Sequence, residues 1–121
     1  MKSHLMLLNE IKKAIESNAL IIVEGKKDKV ALEKLGFENI FVLHGKPFYK
    51  AIEEIEGKKI KKCIILTDLD KKGKQLYYVF KRALVRRGIR VIDKLRKTML
   101  REKISHTEGL TTFIQNRLSV R

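Results

Sequence analysis

The sequence predicts an α/β fold built on a four-stranded, mostly parallel sheet with helices on both faces. Three observations lead there. Short apolar runs of strand length alternate with stretches of helical period. The runs Ala19–Val23 and Cys63–Leu66 are apolar throughout, as expected of central strands covered on both sides. The spacing between runs suits helical crossovers, which join parallel strands with a right hand.

Leu5, Leu8, Ile11 and Ile15 repeat at helical spacing and predict a first helix over 5–16, ended by Ser17-Asn18. Ala19–Val23 is the first strand, closed by Glu24-Gly25. Val30, Leu32 and Leu35 mark a helix from Lys27 that stops at Gly36. Ile40–Leu43 is a second strand, followed by a turn at His44-Gly45-Lys46-Pro47. Pro47 suits the first turn of a helix that carries Ile52 and Ile55 and ends at Gly57. The third strand spans Lys62–Thr67. After Gly73, the residues Leu76, Val79, Phe80, Ala83 and Leu84 predict a helix reaching Gly88. Ile89–Ile92 is a fourth strand. Leu95 and Met99 suggest a turn or two of helix, and a last helix is expected over Leu110–Leu118. The expected organisation is one domain over 1–121, with a core at about 19–92 and a helical extension over 94–121.

Composition narrows the partners. Of 121 residues, 44% are hydrophobic and 35% charged, which suits a globular chain rather than a disordered one. Lys and Arg number 28 against 14 Asp and Glu, a formal net charge of +14. That excess points to phosphate backbones or other polyanions. No apolar stretch approaches the ~20 residues needed to span a bilayer, so no membrane role is expected. The N-terminal apolar segment is soon broken by charge, against a signal peptide. A lone cysteine, Cys63, sits in the third strand as a small core residue, and a cytoplasmic location is the expectation.

The most informative segment is Thr67-Asp68-Leu69-Asp70-Lys71-Lys72-Gly73, at the exit of the third strand. A basic chain that concentrates acid at one point is expected to hold a cation there, and carboxylate oxygens suit Mg²⁺. In parallel sheets the site lies at the carboxyl ends of the strands. Glu24 ends the first strand as Asp68 and Asp70 follow the third. If those strands are neighbours, ~4.8 Å apart, one ion could reach all three side chains.

Leu20-Ile21-Ile22-Val23-Glu24-Gly25-Lys26-Lys27-Asp28, followed by Ile64-Ile65-Leu66-Thr67-Asp68-Leu69-Asp70-Lys71-Lys72-Gly73, resembles the paired motifs of the Toprim domain. That domain is shared by topoisomerases, bacterial-type primases, overcoming-lysogenization-defect nucleases and RecR proteins. The likeness covers roughly Ala19 to Ile92 and is strongest to the small stand-alone group and to the ribonuclease that matures 5S ribosomal RNA. It implies a Rossmann-like Toprim fold, with Glu24 as general acid/base or metal ligand and Asp68 and Asp70 as Mg²⁺ ligands. Gly25 and Gly73 match the motif glycines, suited to tight turns and close approach of a phosphate. Asp28 matches a frequent acidic position. Lys74 stands where many members carry an acid, which favours a phosphate over a second cation. The tail segment Ile104–Leu110 is similar to a stretch that follows the core in the maturation nucleases, which makes His106 and Glu108 second-tier candidates. The plainer expectation there is a helix start with Thr107 as N-cap. His44, after the second strand, is also second-tier.

Lys26, Lys27, Lys71, Lys72 and Lys74 flank the acids and are expected to bind nucleic-acid phosphates. The catalytic tyrosine of topoisomerases lies in a separate domain, and Tyr77 and Tyr78 are expected to pack in the helix. The resulting expectation is a Mg²⁺-dependent nuclease or nucleotidyl/phosphoryl-transfer enzyme acting on RNA or DNA. The alternative is a non-catalytic nucleic-acid-binding module within a larger complex, with a protein partner or self-association. A phosphoacceptor or nucleotide-binding domain is a weaker third reading, since no G-x-x-x-x-G-K-S/T loop is present.

Overall fold

Strands and helices alternate along the chain as the apolar pattern requires. The structure, a computed structural model, describes residues 2–119; residues 1, 120 and 121 of the expected 1–121 domain lie outside the described residues. The elements are α1 (Lys2–Ser17), β1 (Leu20–Val23), α2 (Lys26–Leu35), β2 (Ile40–Val42), α3 (Phe48–Gly57), β3 (Lys62–Ile65), α4 (Lys71–Arg86), β4 (Arg90–Val91), α5 (Lys94–Arg101) and α6 (Thr107–Ser119). The sheet runs β2-β1-β3-β4, and every pair is parallel. The fold is thus α/β, and β1 and β3 are central neighbours, Ile21 opposite Ile64 and Ile22 opposite Ile65.

Alternation along the central strands feeds two cores, because successive side chains leave opposite faces of a sheet. Leu20, Ile22, Cys63 and Ile65 meet Ile52 and Ile55 of α3 and Phe80 and Leu84 of α4. Ile21, Val23, Ile64 and Leu66 meet Leu7 and Ile11 of α1, Leu32 of α2, Leu95 and Met99 of α5 and Leu110 of α6. Cys63 is fully buried, and burial pushes its thiol up to about 12, in keeping with a core role.

Four elements differ from the sequence expectation. The buried stripe of α1 is Leu7, Ile11 and Ala14, with Leu5 left 68% exposed. Both stripes keep helical period, and packing selected the one offset by a residue or two. The helix α4 begins at Lys71, before Gly73, because the Asp70 side chain caps it by accepting from the Gly73 N–H at 2.8 Å. The tail is no loose extension: α5 is a full helix against α1, and Leu110 of α6 is wholly buried. Burying such a leucine stabilises by about 2 kcal/mol. Finally, β4 is only two residues long, so the outer edge of β3 outruns its partner strand.

Candidate active site at the carboxyl ends of β1 and β3

The exits of β1 and β3 lie side by side, and the register carries the acids with them. Glu24 follows Val23, and its Oε2 accepts the backbone N–H of Asp68 at 2.8 Å. Asp28, in the first turn of α2, accepts the Gly25 N–H through Oδ2 at 2.9 Å, a local cap that fixes the strand-to-helix turn. The Asp28 Oδ1 accepts the hydroxyl of Thr107 at 2.6 Å, which ties α6 to the β1 exit. Thr107 is therefore the first residue of α6 with its hydroxyl turned to α2, and not the N-cap expected from sequence.

The Asp68 carboxylate differs from its neighbours. Among the described residues no group donates a hydrogen bond to it, while Glu24, Asp28 and Asp70 all face it with negative charge. Partial burial first, and then these three carboxylates, raise its pKa above the ordinary value; His106 acts in the opposite direction. His106 is exposed and near enough to be felt by Asp68, so the structure brings this second-tier residue to the acids.

Asp70 carries a structural duty as well. Its carboxylate is committed to the α4 cap, and among the described residues no three His, Cys, Asp or Glu side chains form a ready ligand set. Glu24 and Asp68 are thus directly linked, while Asp70, near enough to act on Asp68, spends one carboxylate oxygen on the helix cap. The donor chemistry nonetheless fits Mg²⁺, which is commonly held through one or two carboxylates with waters completing its shell. A cation would also relieve the crowding that raises the Asp68 pKa.

Gly73 is required for an internal reason. A Cβ there would lie 1.9 Å from the Asp68 carbonyl oxygen, so the first turn of α4 presses directly on the β3 exit. Only a residue without a Cβ permits that approach. Gly25 carries no comparable demand: its backbone is extended, and a Cβ would meet only the Asp28 carboxylate at 3.8 Å. Thr67, 3% exposed, adds a second clamp by donating to the Gly73 carbonyl at 2.7 Å.

The strongest brace escaped the sequence reading. Arg96 of α5 is 6% exposed, and its guanidinium donates to the carbonyls of Ile65 (3.2 Å), Thr67 (2.6 Å) and Asp68 (3.1 Å). It also stacks over the Tyr77 ring, 4.4 Å from the centroid. Further back on β3, Cys63 offers its carbonyl to the Ile92 N–H. Alternate carbonyls of a strand point the same way, so Arg96 takes over the ladder where β4 ends. Burial lowers its pKa, opposed chiefly by Tyr77 and Glu24. The Leu69 N–H donates to the Ser105 carbonyl at 2.8 Å, closing the loop from its other side. One buried arginine among 28 basic residues leaves no sequence signal beyond its place beside Leu95 on the apolar stripe of α5.

The remaining candidates are spread around this centre. Lys26, Lys27, Lys71, Lys72 and Lys74 are all exposed, at the starts of α2 and α4. Glu108 is exposed and lines the α2–α6 groove with Lys26 and Lys27, away from Asp68. His44 is an exposed turn residue with φ 45°, and its N–H donates to the Glu24 carbonyl, so its backbone and not its ring serves the site. Tyr77 is buried as expected, whereas Tyr78 is 61% exposed, with its ring edge-on to that of Tyr77.

Comparison with known proteins agrees with this geometry. The Toprim domain model matches residues 19–98. A UPF0292 protein of Methanocaldococcus jannaschii is 36% identical over 118 residues, covering 94% of this chain and 91% of the relative. Another, from Archaeoglobus fulgidus, is 31% identical over 111 residues, covering 89% and 86%. A solved structure of a protein from Aquifex aeolicus superposes with a TM-score of 0.74 at 35% identity, covering 81% of this chain and 92% of that one. The match to residues 19–98 takes in Arg96, so the brace on the β3 exit lies inside the matched domain. The chain belongs to the Toprim domain family, within its UPF0292 proteins.

Proposed function

We propose that this protein is a Mg²⁺-dependent enzyme that cleaves or transfers phosphodiesters of a nucleic acid. Membership of the Toprim family supports a nucleic-acid-related role. The observation that carries the finer reading is the Asp68 carboxylate, free of hydrogen-bond donors and crowded by three other acids in a chain of net charge +14. Such crowding is a device for holding a cation, and perturbed carboxylates cluster at functional sites. Asp68, with Glu24 beside it, would hold the ion, which when bound would polarise a phosphoryl oxygen. Glu24 has a second carboxylate oxygen beyond the one accepting from Asp68, and that oxygen would take or give a proton at an attacking or leaving oxygen. The lysines that open α2 and α4 draw the phosphate to the acids. Among the described residues no helix is long and apolar enough to cross a membrane.

One observation favours a second reading, a non-catalytic nucleic-acid-binding module. Glu24 and Asp70 both accept backbone N–H groups, so these acids already have structural duties. The two readings separate in a Mg²⁺-dependence assay on structured RNA and on branched and single-stranded DNA, with Asp68→Ala in parallel. Cleavage by the native protein that vanishes in the variant supports the enzyme. Binding by both without turnover supports the module.

A further inference from the structure

Between the start of α3 and the outward face of α4 runs a groove of about 490 Å³ with Glu24 at one end. It shares Phe48 and Val79 with a second hollow of about 270 Å³ that continues to Arg82 and Arg86. Lys72, Val79, Arg82 and Arg86 follow one another along α4 at steps of seven, three and four residues, so they lie on one face. From Lys72 to Arg86 that face spans ~21 Å at ~1.5 Å per residue. Its middle is apolar and open: Phe48 is 42% and Val79 47% exposed. The Phe48 ring is fixed edge-on against Phe80, with centroids 5.0 Å apart. Its ends are cationic, and among the described residues no carboxylate pairs with Lys72, Arg82 or Arg86. The neighbouring Lys46 and Arg87, by contrast, are paired with Glu54 and Glu56.

We propose that this groove seats an unpaired segment of nucleic acid leading into the acidic centre, with a base on the Phe48–Val79 surface and its phosphates on Lys72, Arg82 and Arg86. The proposal rests on the nucleic-acid reading above and assigns the face and the strandedness of the substrate. Three features select this occupant. The groove is continuous with the Glu24 end of the site. Beyond Glu24, where the groove meets the acids, its unpaired charges are positive. An exposed aromatic ring set edge-on against Phe80 offers a stacking platform, which serves bases whose faces are free and not those stacked in a duplex.

The test is anisotropy of labelled oligouridine and oligothymidine, and of a matched duplex, in chelator so that no probe is cleaved. Arg82→Glu/Arg86→Glu is expected to weaken single-strand binding at least tenfold and to flatten the log–log salt dependence by roughly 1.4, at about 0.7 per phosphate. Phe48→Leu keeps apolar volume against Phe80 and is expected to weaken binding roughly fivefold or more, with the salt slope unchanged. Lys12→Glu/Lys29→Glu removes the same charge from α1 and α2 on the opposite sheet face and is expected to stay within about twofold of native. The comparison of the two probes identifies the sugar. The groove assignment is overturned if the α1/α2 control weakens binding as much as the arginine pair, if Phe48→Leu binds like native, or if duplex binds as tightly as single strand. Any of these alongside binding or cleavage by native protein leaves the proposed function standing. A native protein that neither binds nor cleaves any probe removes both.

Discussion

Replacing Arg96 by methionine tests whether the β3 exit is held from α5. The change keeps an unbranched chain of similar reach and removes three donors at once, to the carbonyls of Ile65, Thr67 and Asp68. Hydrogen bonds to a charged group contribute about 1.5–3 kcal/mol each. Two of these three are long, at 3.2 and 3.1 Å, and the Asp68 bond is only partly buried. Removing the guanidinium also removes its own desolvation penalty, which offsets part of the loss. The net expectation is about 3 kcal/mol of destabilisation. Urea slopes for small domains run at about 1–3 kcal/mol per molar, so the unfolding midpoint should fall by about 1–3 M. Circular dichroism through a urea titration reads this directly, and amide hydrogen exchange at Asp68 and Leu69 should accelerate with it. Arg96→Lys, which keeps charge but lacks the planar fork, should fall between. A loss under about 0.5 kcal/mol for Arg96→Met, or a lysine variant as stable as native, would refute the brace.

Gly73→Ala drives a Cβ onto the Asp68 carbonyl, and overpacking of this kind costs about 1–3 kcal/mol or more; a thermal melt should show a drop of several degrees, and an unchanged melt contradicts the close approach. Thr107→Val preserves shape at a fully buried position but leaves Asp28 without its 2.6 Å donor. It should lower stability by about 1–2 kcal/mol in chemical denaturation, with exchange speeding first in α6. The raised Asp68 pKa means that the native state binds a proton more readily than the unfolded chain. Asp68 therefore works against stability as pH rises from the ordinary carboxylate value through its raised one, and this penalty stays in full at neutral pH. Asp68→Asn should be more stable than native at pH 7 and lose that advantage in acid, as melts across the range would report. Mg²⁺ should raise the native melting temperature with concentration and leave Asp68→Asn unmoved; equal response in both places the ion elsewhere.

The parallel sheet and its central strands were legible because β1 and β3 are uninterrupted apolar runs, which leave central parallel strands as their natural home; the placing of β2 and β4 at its edges came from the structure. The meeting of Glu24 with Asp68 followed from the same fact, since neighbouring parallel strands deliver their exits to one edge. The cap made by Asp70 was not legible, because a carboxylate one residue before a helix can serve an ion, the free N–H groups of the first turn, or both, and sequence does not rank these. The need for Gly73 arises from the close approach of the Asp68 carbonyl, five residues earlier in the chain, and not from its own dihedral angles. Arg96 was invisible because its partners are carbonyls, which every residue has. The local pattern around Thr107 suggests a cap, whereas its partner Asp28 lies far off in sequence and only folding brings them together.

The shortness of the outer strands bears on how copies of this protein meet. Its sheet ends in β2, three residues long, and β4, two residues long with exposed Arg90 in it. Continuous addition of strands from other molecules needs a long, flat row of unpaired amides, and charged residues on an edge oppose it. Neither border supplies such a row, and the carbonyls that β3 extends past β4 are already taken by a side chain from within. Crowded on a polyanion, where local concentration is high, neighbouring molecules would meet through helix surfaces and stay separable, without a template for fibrous growth.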